Sequence, residues 1–155
     1  PVIFICENNL YGEYSPLANT TSVEDLATRA KSYDMRNYIV DGQEIEEVIE
    51  KVGEAVNFAR NNEGPTFIEM KTYRYSGHSR SDPASYRPDG ELEAWMERDP
   101  IKLLNNALVS KKVMEAGDLD KIIKETNATL EKIKEKVSKS SEPTEDYLFK
   151  NIYSE

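Results

Sequence analysis

Three short apolar runs separated by helix-length intervals constrain the fold of this chain more than any other feature. Residues 2–6, VIFIC, are continuously apolar, as in a buried strand of a parallel sheet. Residues 37–40, NYIV, give a second strand closed by Asp41-Gly42, and residues 66–72, TFIEMKT, alternate as a third, with Phe67 and Ile68 inside it. Between the first two, Ser22 and Asp25 have capping-box spacing, with Asp in place of the usual Glu or Gln. Val23, Leu26, Ala27 and Ala30 follow at helical spacing. Between the second and third, residues 43–61 put Ile45, Val48, Ile49, Val52, Val56 and Ala59 on one face. Glu44, Glu47, Glu50 and Glu54 fall on the opposite face, toward water. Strand, helix, strand, helix, strand is the rhythm of an α/β sheet with crossover helices.

With 155 residues, 38% of them hydrophobic, the chain supports one core and one domain. No stretch approaches the ~18–20 apolar residues of a membrane span, and no charged-then-apolar leader argues for secretion. The single cysteine, Cys6, cannot close an internal disulfide and reads as a buried reduced thiol, which fits a cytosolic setting; a Cys-rich zinc site is excluded by count. A net charge of −9 argues against general nucleic-acid binding. One segment departs from the acidic background. Residues 71–90 carry Lys71, Arg74, Arg80 and Arg87 against only Asp82 and Asp89, and hold the only histidine, His78. An anionic ligand is expected there.

That segment also breaks the strand–helix rhythm. Residues 73–90 contain Gly77, Pro83, Pro88 and Gly90, and a structureless stretch of this length in a compact domain is commonly functional or mobile. Asp99-Pro100 then gives an N-cap with proline at the first helical position, followed by Ile101, Leu104 and Leu108 on one face. A last long helix is expected from about Asp118, with Leu119, Ile122, Ile123, Leu130, Ile133 and Val137 inward. The tail ends in the aromatic residues Tyr147, Phe149 and Tyr153, expected to dock on the body or on a partner.

Two motifs carry chemistry. The first, ENNLYG at residues 7–12, directly follows a strand, where open α/β sheets bind ligands. The Asn9 carboxamide is a neutral hard oxygen of the kind magnesium accepts, and a backbone carbonyl two residues on offers another. The simpler reading is that the two asparagines begin a turn. The second, YRYSGHSRSDP at residues 73–83, follows the third strand. Arg74 and His78 on a glycine-containing loop suit phosphate oxygens. Equally, Arg74 and Arg80 could be solvated or paired with Asp82, and His78 could be incidental.

The two motifs in this order, with the strand–helix–strand interval between them and "DPI" after them, resemble the α subunit of thiamine-dependent 2-oxoacid dehydrogenases. These include the decarboxylating components of pyruvate, branched-chain 2-oxoacid and acetoin dehydrogenase complexes. The resemblance covers nearly the whole chain but only the C-terminal half of the family's α subunit. It implies the C-terminal part of a thiamine-diphosphate-binding three-layer α/β domain with a parallel sheet (residues 1–72). An active-site loop (73–90) and a helical C-terminal region packed on the same domain (91–155) follow. It implies thiamine diphosphate and Mg2+ as cofactors, with Asn9 binding the metal through its side chain and Tyr11 through its main-chain carbonyl. His78 would contact the diphosphate and order the loop, and Arg74 would lie near the cofactor and substrate channel. Ser79 and Ser85 match positions phosphorylated in mitochondrial members. Ser76 stands where some members carry a histidine, so any role of that histidine is lost or moved.

The family's thiamine motif begins in Gly-Asp-Gly and ends in Asn-Asn. Only the end is in this sequence, so the chain is expected to form at best half of an active site. The implied partners are the N-terminal half of the α subunit, a β subunit in an α2β2 heterotetramer, and the lipoyl acyltransferase of the complex. Oxidative decarboxylation or C–C cleavage with acyl transfer to lipoyl groups is the implied reaction, with pyruvate or acetoin favoured, in the cytoplasm or the mitochondrial matrix. Neither nucleic acid nor membrane is implied. The alternative is an inactive interaction or assembly module that keeps the fold without a complete cofactor site.

Overall fold

The structure, a computed structural model, describes residues 1–150, 152 and 153. Its centre is a parallel sheet of β1 (Ile3–Asn8), β4 (Arg36–Asp41) and β5 (Thr66–Lys71), in the order β1-β5-β4. α2 (Ile45–Arg60) makes the crossover from β4 to β5. The expected α/β architecture is therefore present, with each strand within two residues of its expected bounds.

The central position of β5 explains its burial. Thr66, Ile68, Glu69 and Met70 are all buried, so the strand that alternates in sequence is covered on both faces. Strand parity puts Ile68 and Met70 on one face and Glu69 and Lys71 on the other. On the first face, Ile68 and Met70 form a core with Val40 and Ala55, flanked by Ile3, Tyr38, Val48 and Val52. Burying Ile68 completely contributes roughly 1.5–3 kcal/mol. Toward the Glu69 face, a 3-10 helix (Leu26–Tyr33) buries Ala27 and Ala30.

Several expectations are corrected. VIFIC is not buried: β1 has a strand neighbour on one side only among the described residues, and Val2, Phe4 and Ile5 are about half exposed (56%, 47% and 54%). Cys6 is half-buried; burial, then the nearby Glu69 carboxylate, pushes its thiol pKa up. The Ser22–Asp25 capping box does not form, because Asp25 instead approaches Lys71 Nζ at 3.0 Å and the following helix is 3-10. On α2, Ile45 and Ile49 lie outside the packed stripe and are exposed, whereas Glu54 is drawn in by the Tyr38 hydroxyl at 2.7 Å and by Lys51 at 2.8 Å.

After β1 the chain forms a short hairpin of β2 (Tyr11–Gly12) and β3 (Ser15–Pro16) and one helical turn, α1 (Leu17–Thr20). Further on, α3 (Glu91–Glu97) opens the region expected to be helical, ahead of the Asp99 cap. α4 (Pro100–Ser110) has the expected cap: Asp99 Oδ1 accepts from the amides of Ile101 at 2.8 Å and Lys102 at 3.3 Å. Leu104 and Leu108 are half-buried on it and Ile101 is exposed.

The chain divides into two compact units, residues 1–111 and 112–155. The second is built on α5 (Asp118–Ser138), which starts where expected but buries no residue; Ile122, Ile123, Leu130, Ile133 and Val137 are exposed rather than inward. Tyr147, Phe149 and Tyr153 are also exposed. No helix among the described residues is long and apolar enough to cross a membrane.

Candidate functional site

Both candidate motifs leave the sheet at one level. Asn8 at the end of β1 and Asp41 at the end of β4 each pair in register with Lys71 at the end of β5. The ENNLYG turn and the 73–90 loop thus emerge side by side at the carboxyl edge of adjacent strands, the edge that open α/β sheets use for ligands.

The turn is built by its two asparagines. Asn8 Oδ1 accepts from the Leu10 amide at 3.0 Å, and Asn9 Oδ1 accepts from the Tyr11 amide at 3.1 Å. Two successive side-chain turns hold Leu10 in the left-handed region, at φ 70°. The Leu10 carbonyl accepts from the Leu17 amide at 2.8 Å, which fixes the far side. The simple turn reading is therefore realised. A carboxamide oxygen has two lone pairs and this contact uses one, so the Asn9 oxygen keeps capacity for a hard cation.

The 73–90 loop is ordered by its own polar contacts. Arg87 donates to the carbonyls of Arg74 (2.6 Å), Tyr75 (2.8 Å) and Ser76 (2.8 Å). Its guanidinium lies over the rings of Tyr73, Tyr11 and Tyr86, at 5.0, 5.8 and 5.9 Å from their centroids. Asp82 accepts from the amides of His78 (2.6 Å) and Ala84 (2.8 Å) and from the Tyr86 hydroxyl (2.9 Å). Burial opposes ionisation of Asp82, but these donors outweigh it and hold its pKa below the usual carboxylate value. Gly77 is required where it stands, since a Cβ there would collide with the Asp82 carbonyl oxygen and carboxylate.

The residues singled out from sequence are partly brought together. Arg74 donates to the Glu13 carbonyl at 2.7 Å and the Tyr86 hydroxyl at 3.0 Å, bridging the two loops. Its Nε is buried without a partner. His78 is exposed, packs edge-on against Tyr14, and holds Nε2 3.8 Å from a Glu13 carboxylate oxygen. Ser79 and Ser85 are exposed. The hard oxygens of the turn and an incompletely paired arginine on the adjoining loop form a donor set that fits a magnesium–diphosphate group.

Three further participants are not among the site residues expected from the sequence. Glu91, at the start of α3, accepts from the hydroxyls of both Tyr11 (2.6 Å) and Tyr73 (2.8 Å). Burial first, and this carboxylate second, raise the Tyr11 pKa to about 12 and also raise that of Tyr73. Arg87 looked like one more loop cation, yet it is the loop's main clasp. Glu69, a charge inside an apolar strand, is the one whose oddity was visible in sequence. A cleft of about 340 Å³ opens beside the turn, lined by Leu10, Tyr11, Leu17, Val23, Lys71 and Glu91 among others.

Comparison with known proteins bears on this geometry. A family model described as "Dehydrogenase E1 component" matches residues 1–146. Among curated proteins, the chain is 34% identical over 153 residues to the pyruvate dehydrogenase E1 component subunit alpha of Rickettsia bellii, covering 99% of this chain and 47% of that protein. It is 33% identical over 155 residues to the chloroplastic subunit alpha-3 of Arabidopsis thaliana, covering 100% and 36%. Against the corresponding subunit of Porphyra purpurea the figures are 32% identity over 155 residues, 100% and 45%. The chain thus spans about half or less of the length of these relatives.

Proposed function

From the premise that this chain belongs to the dehydrogenase E1 component family, we propose that it is part of the α subunit of a thiamine-diphosphate-dependent 2-oxoacid dehydrogenase. Pyruvate, the substrate in the names of the relatives, is favoured, with acetoin as the second candidate. The observation that carries the reading is the placement of the Asn9 turn beside the Arg74–His78 loop at one end of adjacent parallel strands.

In this reading Asn9 Oδ1 and the Tyr11 carbonyl would hold magnesium together with the aspartate of the Gly-Asp-Gly end of the motif, which this sequence does not contain, and the metal would anchor the diphosphate. Arg74 and His78 act on the diphosphate side as hydrogen-bond donors, and Arg87 keeps their loop in place. When bound, thiamine diphosphate supplies the carbon nucleophile and electron sink that cleavage next to a 2-oxo group requires. The protein's share is to anchor the diphosphate, orient the reacting carbon and exclude water. Residues 1–72 contribute the cofactor-binding layer, 73–90 the active-site loop and 91–155 the helical region. The remainder of the α subunit, a β subunit and a lipoyl acyltransferase complete the assembly. Ser79 and Ser85 expose hydroxyls on the loop, where a phosphate would bring about −2 of charge and disorder it.

The test is thiamine diphosphate affinity of the assembled full-length α subunit and β subunit, with magnesium and after its removal by a chelator. Magnesium-dependent binding is expected; an assembly that binds no thiamine diphosphate under either condition rejects the proposal.

A further inference from the structure

We infer that Glu69 is a positioning residue, the buried anchor that sets the geometry of the Asn8–Tyr11 turn. Its side chain is fully buried in the central strand. Its contacts tie two other elements to its own strand: Oε1 accepts from Asn8 Nδ2 of β1 at 2.6 Å, Oε2 from the Ala27 amide of the 3-10 helix at 2.7 Å, and Lys71 Nζ, two residues on in β5, stands 2.8 Å from Oε1. Lys71 is held in turn by Asp25 at 3.0 Å and by the Glu24 carbonyl at 3.2 Å. A buried ion pair is commonly no better for stability than apolar residues of the same volume, so a carboxylate in this strand calls for a geometric reason.

Asn8 supplies it. The amide nitrogen of its side chain is committed to Glu69 and the oxygen to the Leu10 amide. With both ends fixed, the side chain cannot rotate, and Leu10 is kept in a left-handed conformation that a leucine rarely adopts. Asn9 and Tyr11 flank that residue. Glu69 therefore acts on them through Asn8, without touching any ligand.

The consequence for magnesium rests on the function proposed above, but the consequence for the turn does not. The experiment compares Glu69→Gln with the double variant Asn8→Asp/Glu69→Gln in the assembled full-length enzyme. The double variant exchanges donor and acceptor between the two side chains and preserves the hydrogen bonds to Leu10 and Ala27. Amide hydrogen exchange at Leu10 and Tyr11 is the first readout and the magnesium midpoint for thiamine diphosphate binding the second. Glu69→Gln is expected to speed exchange at Leu10 and Tyr11 by about tenfold, the loss of one hydrogen bond, and to raise the magnesium midpoint. The double variant is expected to recover most of both. Equal acceleration in α2, or no recovery in the double variant, overturns the inference in favour of a purely structural glutamate. A wild-type enzyme without magnesium-dependent binding would reject the proposed function, while the exchange data still decide the role of Glu69.

Discussion

The Tyr11 hydroxyl donates a 2.6 Å hydrogen bond to Glu91, joining the turn after β1 to the first residue of α3 across eighty positions of chain. The same carboxylate oxygen accepts from Tyr73 at 2.8 Å, and Tyr73 stacks on Trp95 with centroids 5.3 Å apart. One carboxylate thereby closes both sides of the candidate site.

Removing that acceptor should be felt in stability and in tyrosine titration. Glu91→Ala leaves both hydroxyls without it and is expected to lower unfolding free energy by about 1–3 kcal/mol in urea denaturation. The Tyr11 pKa is raised from 10.0 to about 12, so the stability contributed by the neutral phenol is complete below pH 10 and lost as pH rises through about 12. In the variant, Tyr11 should ionise at lower pH than in the wild type yet still above 10, since burial is the larger cause. An unchanged phenolate absorbance titration would contradict this.

Arg87→Lys keeps the charge but not the planar fork that reaches three carbonyls. Cleavage within residues 73–82 should become faster in limited proteolysis while α2 amide exchange stays unchanged. Equal protection of the loop in both proteins would refute the clasp.

Gly77→Ala should displace Asp82, because the new Cβ has no room against it. With the His78 amide no longer held, exchange at that amide should rise, and the Asp82 pKa should move up toward 3.8. In the wild type the depressed pKa means that loop order contributed by the carboxylate is present above pH 3.8 and lost as pH falls through a lower value. Carboxylate titration by NMR reads both proteins.

His78→Ala should cost activity far more than stability. The side chain is exposed and its nearest carboxylate oxygen is 3.8 Å away, so its loss should change unfolding free energy by less than about 0.5 kcal/mol. Matched losses of melting temperature and turnover would remove its assignment.

The architecture was legible because periodicity reports burial where one element covers another. β4, β5 and α2 stand close to where the apolar spacing puts them. The pattern misleads elsewhere among the described residues: VIFIC reads as buried and is half exposed on a strand paired on one side, and the α5 stripe reads as inward and buries nothing. The site divides in the same way. Asn9, Tyr11, Arg74 and His78 stand out through motif resemblance. The groups that hold them, Glu69, Arg87 and Glu91, act through contacts between distant positions, which local patterns do not encode. Only the charge in TFIEM gave a hint, because a lone carboxylate in a strand interior must find partners.

The proposed function makes the turn after β1 one end of a magnesium–diphosphate site. Its most direct test is the magnesium dependence of thiamine diphosphate binding to the assembled full-length enzyme, wild type against Asn9→Ala, followed by calorimetry. The expected result is magnesium-dependent binding in the wild type and a magnesium midpoint raised by at least about tenfold in the variant, with both proteins folded. An identical midpoint in the two proteins would take the metal away from Asn9.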